Sequence, residues 1–343
     1  MRLALYCPVY GYYEKEEDTI GRNGDFYTSV SVGNLFGELL AFQFEEWVAQ
    51  CQSETRPVQI VEAGAHRGDL ARDILIWLHD HRPELFQRLQ YVIIEPSSIR
   101  QKWQADALSK FTNVQWLSGI TRHTSRIRGV IFVNELLDAI PVRRFGWDAH
   151  NRKWFEWGVT MKNRELAWTS MDHLGPAETI SPPFEINADL LSVLPDGFIF
   201  ETSPEAEAWW QSASRALARG KLVTIDYGLT TDELILPERK DGTLRGYYRH
   251  HPTSNLLANP GEQDLTAHVN FSRLMAAGEA NGLTTEKFVT QAQFLTQIAA
   301  PAWKGGAVEP WSPSRARQFQ TLTHPDHLGR SFRVLVQSRE RTS

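Results

Sequence analysis

The stretch Val58 to Leu70, VQIVEAGAHRGDL, restricts the fold more than any other part of the chain. Val58-Gln59-Ile60-Val61 reads as a short buried strand. Glu62 and Ala63 follow, then Gly64-Ala65-His66-Arg67-Gly68, then Asp69 and a helical apolar pattern. Strand, glycine-bearing turn and helix in that order set a ligand at the carboxyl end of a parallel strand and at a helix N-terminus. Gly64 and Gly68 open backbone angles that other residues avoid. The turn reads as the cofactor loop of a nucleotide-binding α/β domain. It lacks the full G-x-G-x-x-G, and Asp69 stands at the third position, which weighs against a dinucleotide pyrophosphate and a nicotinamide-dependent oxidoreductase.

The alternation continues downstream. Tyr91-Val92-Ile93-Ile94-Glu95 is stopped by Pro96, Val114-Gln115-Trp116-Leu117 is a weaker strand, and Gly129 to Asn134 is a strong one. Helices are predicted over 69–80, ending near the breaker before Pro83, and over 98–110. Short apolar strands alternating with helices make a parallel sheet covered on both faces. Upstream, Leu35, Phe36, Leu39, Leu40, Phe42 and Trp47 recur at helical spacing between Val32 and Gln50. Residues 1–30 are rich in Tyr and Gly and form an ordered arm, with 21–29 as a loop.

The rhythm breaks at 143–196. Trp147, Trp154, Phe155, Trp157 and Trp168 alternate with polar residues there, as in an antiparallel β insertion, with Pro182-Pro183 as a break. Ser203 is a plausible N-cap for a helix over 204–219. A fifth strand is predicted over 221–226 and a loop-rich segment over 228–264. A helix over 270–281 ends at Gly282, followed by a strand over 284–289, helices over 291–299 and 312–322, and a last strand over 331–336. The expected division is an N-terminal arm and helix, 1–52, and an α/β domain, 53–343, with insertions at 143–196 and 228–264.

At 343 residues the chain is long enough for two domains or one with insertions. Its net charge of −5 gives no basic excess for nucleic acid. Two cysteines, Cys7 and Cys51, suit a reducing compartment and make no zinc pattern. No apolar run approaches the ~18 residues of a membrane span. The N-terminus lacks the features of a signal peptide, and Glu14, Glu16, Glu17 and Asp18 argue against a transit peptide. The expectation is a cytoplasmic protein that binds neither nucleic acid nor membrane.

Candidate chemistry gathers at the strand ends. Glu95 can accept hydrogen bonds from both ribose hydroxyls of an adenosine, or be a surface carboxylate. It follows Gly64 at more than the ~20 residues usual in dinucleotide folds, a difference the helix and loop absorb. Asn134-Glu135-Leu136-Leu137-Asp138-Ala139-Ile140-Pro141 falls at the same sheet edge. Glu135 and Asp138 can bind a cation, hold a guanidinium, take a proton, or simply cap a helix N-terminus. Asp226-Tyr227-Gly228 is either a third member of that edge or a turn after a strand. His250, His251 and His268 can act as base or as structural donors. His324 and His327 are a weak metal pair. The insertion tryptophans pack or stack on a ligand.

Together these motifs resemble the MidA family of S-adenosylmethionine-dependent methyltransferases, whose mitochondrial members are protein arginine methyltransferases needed for respiratory complex I assembly. The resemblance runs from Leu3-Ala4-Leu5-Tyr6 and Gly11-Tyr12-Tyr13 to Gln291-Ala292-Gln293-Phe294-Leu295. It is closest at Gly24 to Ser29, Leu35 to Glu38, Asn134 to Val142, Asp226 to Gly228, Gly242 to Arg245 and Asp264 to Phe271. It implies an α/β fold of the Rossmann-like class I methyltransferase type, with a seven-stranded, mostly parallel sheet and inserted substrate-facing segments. It implies S-adenosylmethionine held by Gly64, His66, Gly68, Glu95, Asn134 and Thr28, with Glu95 on the ribose. Glu135 and Asp138 would be the catalytic pair facing an arginine-bearing protein substrate. Where the family has Gly-Pro-Gly-Arg-Gly, this chain has Gly64-Ala65-His66-Arg67-Gly68, so the side chain at 66 either contacts the cofactor or crowds it. A non-catalytic binding factor on the same fold and a small-molecule methyltransferase are the alternatives.

Overall fold

Val58–Ala63 forms β1, and its whole length is buried. A strand buried on both faces needs a neighbour on each edge and a layer on each side. The computed structural model describes residues 1–15, 28–51, 57–122, 126–171, 188–248 and 251–340. In it, β2 (Leu89–Ile94) and β4 (Ile127–Asn134) flank β1 in parallel, and β3 (Val114–Leu117) extends the β2 edge. β5 (Leu217–Leu229) runs parallel to β4. β6 (Thr284–Thr290) and β7 (Phe332–Arg339) close the other side, with β7 antiparallel to both β5 and β6. The order is β6-β7-β5-β4-β1-β2-β3. Among the described residues an eighth short strand, Val269–Asn270, pairs with the end of β5. The expected seven-stranded, mostly parallel sheet is the main path.

The chain divides into two compact units. The larger, Thr19–Leu137 with Trp209–Tyr227 and Leu274–Ser343, holds the main sheet. The helix Leu35–Ala49 lays Phe44 against Phe132 of β4, ring centroids 4.9 Å apart. The helix Asp69–His81 buries Leu70, Ile74, Trp77 and Leu78, the stripe that a 3.6-residue period dictates. Burying one such side chain contributes about 1.5–3 kcal/mol. Trp77 places its indole N–H on the Ala307 carbonyl at 2.6 Å, so even its polar atom is satisfied. The helix Gln291–Lys304 starts at a Thr290/Gln293 capping box and runs past the predicted end at 299.

The smaller unit is Met1–Asp18, Asp138–Ala208 and Gly228–Arg273. Its antiparallel sheet takes the strands Glu165–Ser170, Lys153–Lys162, Arg143–Asp148 and Ile199–Thr202 in that order. Trp147 and Trp154 are buried with Phe145, Phe198 and Phe200 and lie 5.2 Å apart. These tryptophans pack. Ser203 accepts the Ala206 N–H at 3.2 Å, the cap expected before Pro204.

Several expectations are corrected. The segment before Pro83 is not a plain stop: Pro83 opens a helix, Pro83–Arg88, because its fixed φ suits a first turn. Residues 228–264 are less loop-like than expected. A capping box at Thr230 starts the helix Thr231–Leu234, and Arg245–Tyr248, His251–Thr253 and Asp264–Thr266 form a small antiparallel sheet. Pieces of three or four residues are too short to show a period. The arm contains a helix, Arg2–Tyr6. β5 starts at Leu217, so the preceding helix ends at Ala216 rather than 219. The loop over 21–27, the Pro182-Pro183 break and His250 lie outside the described residues.

Candidate functional site

The register of the sheet assembles the cofactor side of the larger unit. Ala63 stands opposite Val133 of β4 and Ile94 of β2, which puts Gly64 between Asn134 and Glu95 at the strand ends. The Gly64 N–H donates to the Ile94 carbonyl at 3.3 Å, and the Gly68 N–H closes the turn on Ala65 at 2.7 Å. Gly64 has φ +75° and Gly68 +84°, so both use the left-handed freedom the sequence suggested. His66 also adopts φ +47°, an angle that histidine tolerates better than most residues with a Cβ. Its ring lies edge-on to Trp103 at 6.2 Å, against the helix Ser98–Ala107.

Glu95 is buried at 5% exposure, which overturns its reading as a surface carboxylate. Oε1 accepts the Ser97 N–H at 3.0 Å and Oε2 accepts the Gln104 amide at 3.0 Å. The same Gln104 amide donates to the His66 carbonyl at 3.0 Å. Gln104 carried no signal in the sequence: a glutamine within a helix is ordinary, and its partners are distant along the chain.

Behind the turn, the Glu62 carboxyl is buried and accepts the Tyr91 hydroxyl at 2.6 Å. Burial raises Glu62 to about 7, and the Tyr91 bond opposes that shift. Asn134 donates its amide to Glu135 at 3.1 Å. Its buried Oδ1 has no partner among the described residues. An ammonium or hydroxyl donor of a nucleoside cofactor fits that atom.

The acidic turn is divided. Glu135, at φ +51°, accepts the Ser29 N–H at 3.2 Å and so ties down the segment that carries Thr28. The Thr28 hydroxyl accepts the Ser31 N–H at 3.2 Å. Asp226 is buried within β5, not at a turn after it, and its Oδ2 accepts the Leu137 N–H at 2.9 Å.

Asp138 belongs to the smaller unit. There its carbonyl accepts the Ala267 N–H at 2.9 Å, and Tyr6 donates to the next carbonyl, Ala139, at 3.0 Å. Tyr13 donates to Asp264 at 2.8 Å. Burial first, then the charges of Asp264 and, more weakly, Asp138, push the Tyr13 hydroxyl well above its ordinary range, so it stays a donor. Asp138 and Asp264 are both buried. Burial and the charges of Arg245 and Arg239 lower His268 to about 4, leaving a neutral imidazole at pH 7. Among the described residues, no group of three or more His, Cys, Asp or Glu is placed to hold a metal ion.

A doubly wound sheet with an antiparallel β7, and a cofactor turn between β1 and its helix, defines a Rossmann-like methyltransferase. The chain belongs to the family of S-adenosyl-L-methionine-dependent methyltransferases, whose family model matches residues 39–289. It is 30% identical to the protein arginine methyltransferase NDUFAF7, mitochondrial, of Homo sapiens over 375 residues, 97% of this chain and 77% of that protein. Identity to the Rattus norvegicus counterpart is 29% over 374 residues, 97% of this chain and 78% of that protein. Among solved structures, a Burkholderia thailandensis protein bound to S-adenosyl-homocysteine superposes with a TM-score of 0.84 at 28% identity, covering 98% of this chain and 86% of the other. The cofactor is S-adenosylmethionine, and the orphaned Asn134 Oδ1 and the glycine turn fit it.

Proposed function

We propose that this methyltransferase modifies an arginine side chain of a protein. The observation that carries the proposal is the buried pair Asp138 and Asp264, set about the Tyr13 hydroxyl in one unit. A guanidinium stays charged in water, and two carboxylates can hold it through paired hydrogen bonds while drawing its charge to the far nitrogens. The names of the relatives, protein arginine methyltransferases, support the same acceptor.

Bound S-adenosylmethionine supplies a methyl group on a positively charged sulfur. Gly64, His66 and Gly68 would seat it on the turn, Glu95 would take its ribose hydroxyls, and Asn134 would accept from its ammonium. Glu135 would act on the cofactor side by holding the Thr28–Ser29 segment, and Asp138 on the acceptor side. Transfer forms one N–C bond, breaks one S–C bond and releases one proton from the guanidinium nitrogen. Positioning and electrostatics supply most of the acceleration in such a displacement. We also place the protein in the cytoplasm, a reading supported by two unbridged cysteines.

Methylarginine in total protein, measured by mass spectrometry, tests the acceptor. Cells expressing the chain gain it, and cells expressing Asp138→Asn do not. Equal amounts in both, with the methyl group found on a small molecule instead, would establish the small-molecule reading.

A further inference from the structure

One side chain joins the two halves of the cofactor site. Gln104 is fully buried in the helix Ser98–Ala107. Its amide nitrogen donates to the His66 carbonyl and to Glu95 Oε2, each at 3.0 Å, and its amide oxygen accepts the Trp116 indole N–H at 3.0 Å. An amide nitrogen has two hydrogens, and each has an acceptor here. A glutamate at 104 would offer no donor and would set a like charge against Glu95. A methionine of similar size would offer no donor.

The two acceptors are the parts of the site that most need holding. His66 carries a Cβ in left-handed backbone, a conformation that persists only where its surroundings enforce it. The Glu95 carboxylate lies just beyond β2, where the Ser97 N–H holds Oε1 and the Gln104 amide holds Oε2. Trp116 sits on β3 and holds the amide in the orientation that points both hydrogens at these acceptors.

We propose that Gln104 is a positioning residue for S-adenosylmethionine, coupling the 64–68 turn to the Glu95 carboxylate so that seating on the turn and recognition of the ribose succeed or fail together. The proposal rests on Glu95 as the ribose carboxylate, and the test separates the two.

The full chain is titrated calorimetrically with S-adenosylhomocysteine and with its 2′-deoxy counterpart. Wild type binds the ribose form more tightly. Gln104→Met weakens S-adenosylhomocysteine about ten- to a hundred-fold and brings the ratio of the two affinities close to one. Gln104→Met leaves the Trp116 N–H without an acceptor, so Gln104→Met/Trp116→Phe is measured beside it. The pair shows the same collapse of the ratio. Trp116→Phe alone, with both amide donors intact, keeps most of the discrimination. Unchanged binding in the Gln104 variants, or an equal loss for both ligands with the ratio preserved, overturns the proposal and leaves Gln104 a packing residue. Glu95→Gln tests the underlying assignment by itself. If it keeps the wild-type ratio, Glu95 does not read the ribose, and the proposal falls with that assignment.

Discussion

The Asp226 carboxylate accepts the Leu137 N–H at 2.9 Å, so a buried acid inside β5 shapes the turn that leaves β4. Its other oxygen takes the Tyr227 N–H at 2.8 Å, and the Glu135 N–H donates to the Ile225 carbonyl at 3.0 Å. The backbone from Asn134 to Leu137 is therefore set by β5 as well as by β4.

Asp226→Ala leaves the buried Leu137 N–H without its acceptor. The expected loss is about 1–3 kcal/mol of stability. Chemical denaturation measures it as a lower midpoint. A midpoint equal to wild type would show that the bond is not made in solution.

Gly64→Val places a branched side chain at φ +75°, where a Cβ would meet Leu136 Cδ1 at 2.8 Å. Strain of about 1–3 kcal/mol follows, together with loss of S-adenosylhomocysteine binding in a chain that still folds. Calorimetry and a thermal melt on the same sample separate the two effects. Retained affinity would remove the turn from the cofactor site.

Stability near neutral pH carries the signature of Glu62. Its folded value of about 7 lies above the ordinary 4.5 because of burial. The folded chain thus binds the extra proton between those values, and stability falls as pH rises through that window. Glu62→Gln keeps an acceptor for Tyr91 and removes the titration. It is expected to exceed wild type by about 3 kcal/mol at pH 8 and nearly to match it near pH 4.5. His268 acts with the opposite sign: lowered to about 4 by burial and two arginines, it costs stability as pH falls below 6.5. Denaturation curves across pH for Glu62→Gln, His268→Gln and wild type resolve the two slopes. A wild-type pH profile in Glu62→Gln would contradict the burial argument.

Glu135 and Asp138 are expected to part company under mutation. Glu135→Gln loosens the Ser29 tether and weakens S-adenosylhomocysteine binding by about three- to ten-fold. Asp138→Asn leaves that affinity alone and loses methyl transfer by about a hundred-fold or more. Binding and transfer assays on both variants check this. Identical behaviour would reunite the two acids in one role.

Much of the larger unit was legible in the sequence. β1, β4 and the helix Leu35–Ala49 follow from apolar period and length, because each buries a face or nearly a whole strand. The acidic turn was legible as a place, but the separate partners of its two acids were not. Glu135 and Asp138 are three residues apart, yet one takes the Ser29 N–H and the other belongs to the unit of Tyr13 and Asp264. Hydrogen bonds between residues far apart in the chain leave no periodic trace, which also hid Gln104. The short strands of 245–266 were missed for a different reason, since their order comes from one another and from the arm residues Leu5 and Tyr12 packed on Leu265.

Calorimetric titration of the purified chain with S-adenosylmethionine, S-adenosylhomocysteine and NAD in parallel tests the central claim most directly. Micromolar binding of both sulfur cofactors and none of NAD is the predicted result, with His66 turned toward Trp103 and the turn open to the ligand. Absence of binding by either sulfur cofactor, or binding of NAD instead, would contradict the assignment of Gly64–Gly68, Glu95 and Asn134 as the S-adenosylmethionine site.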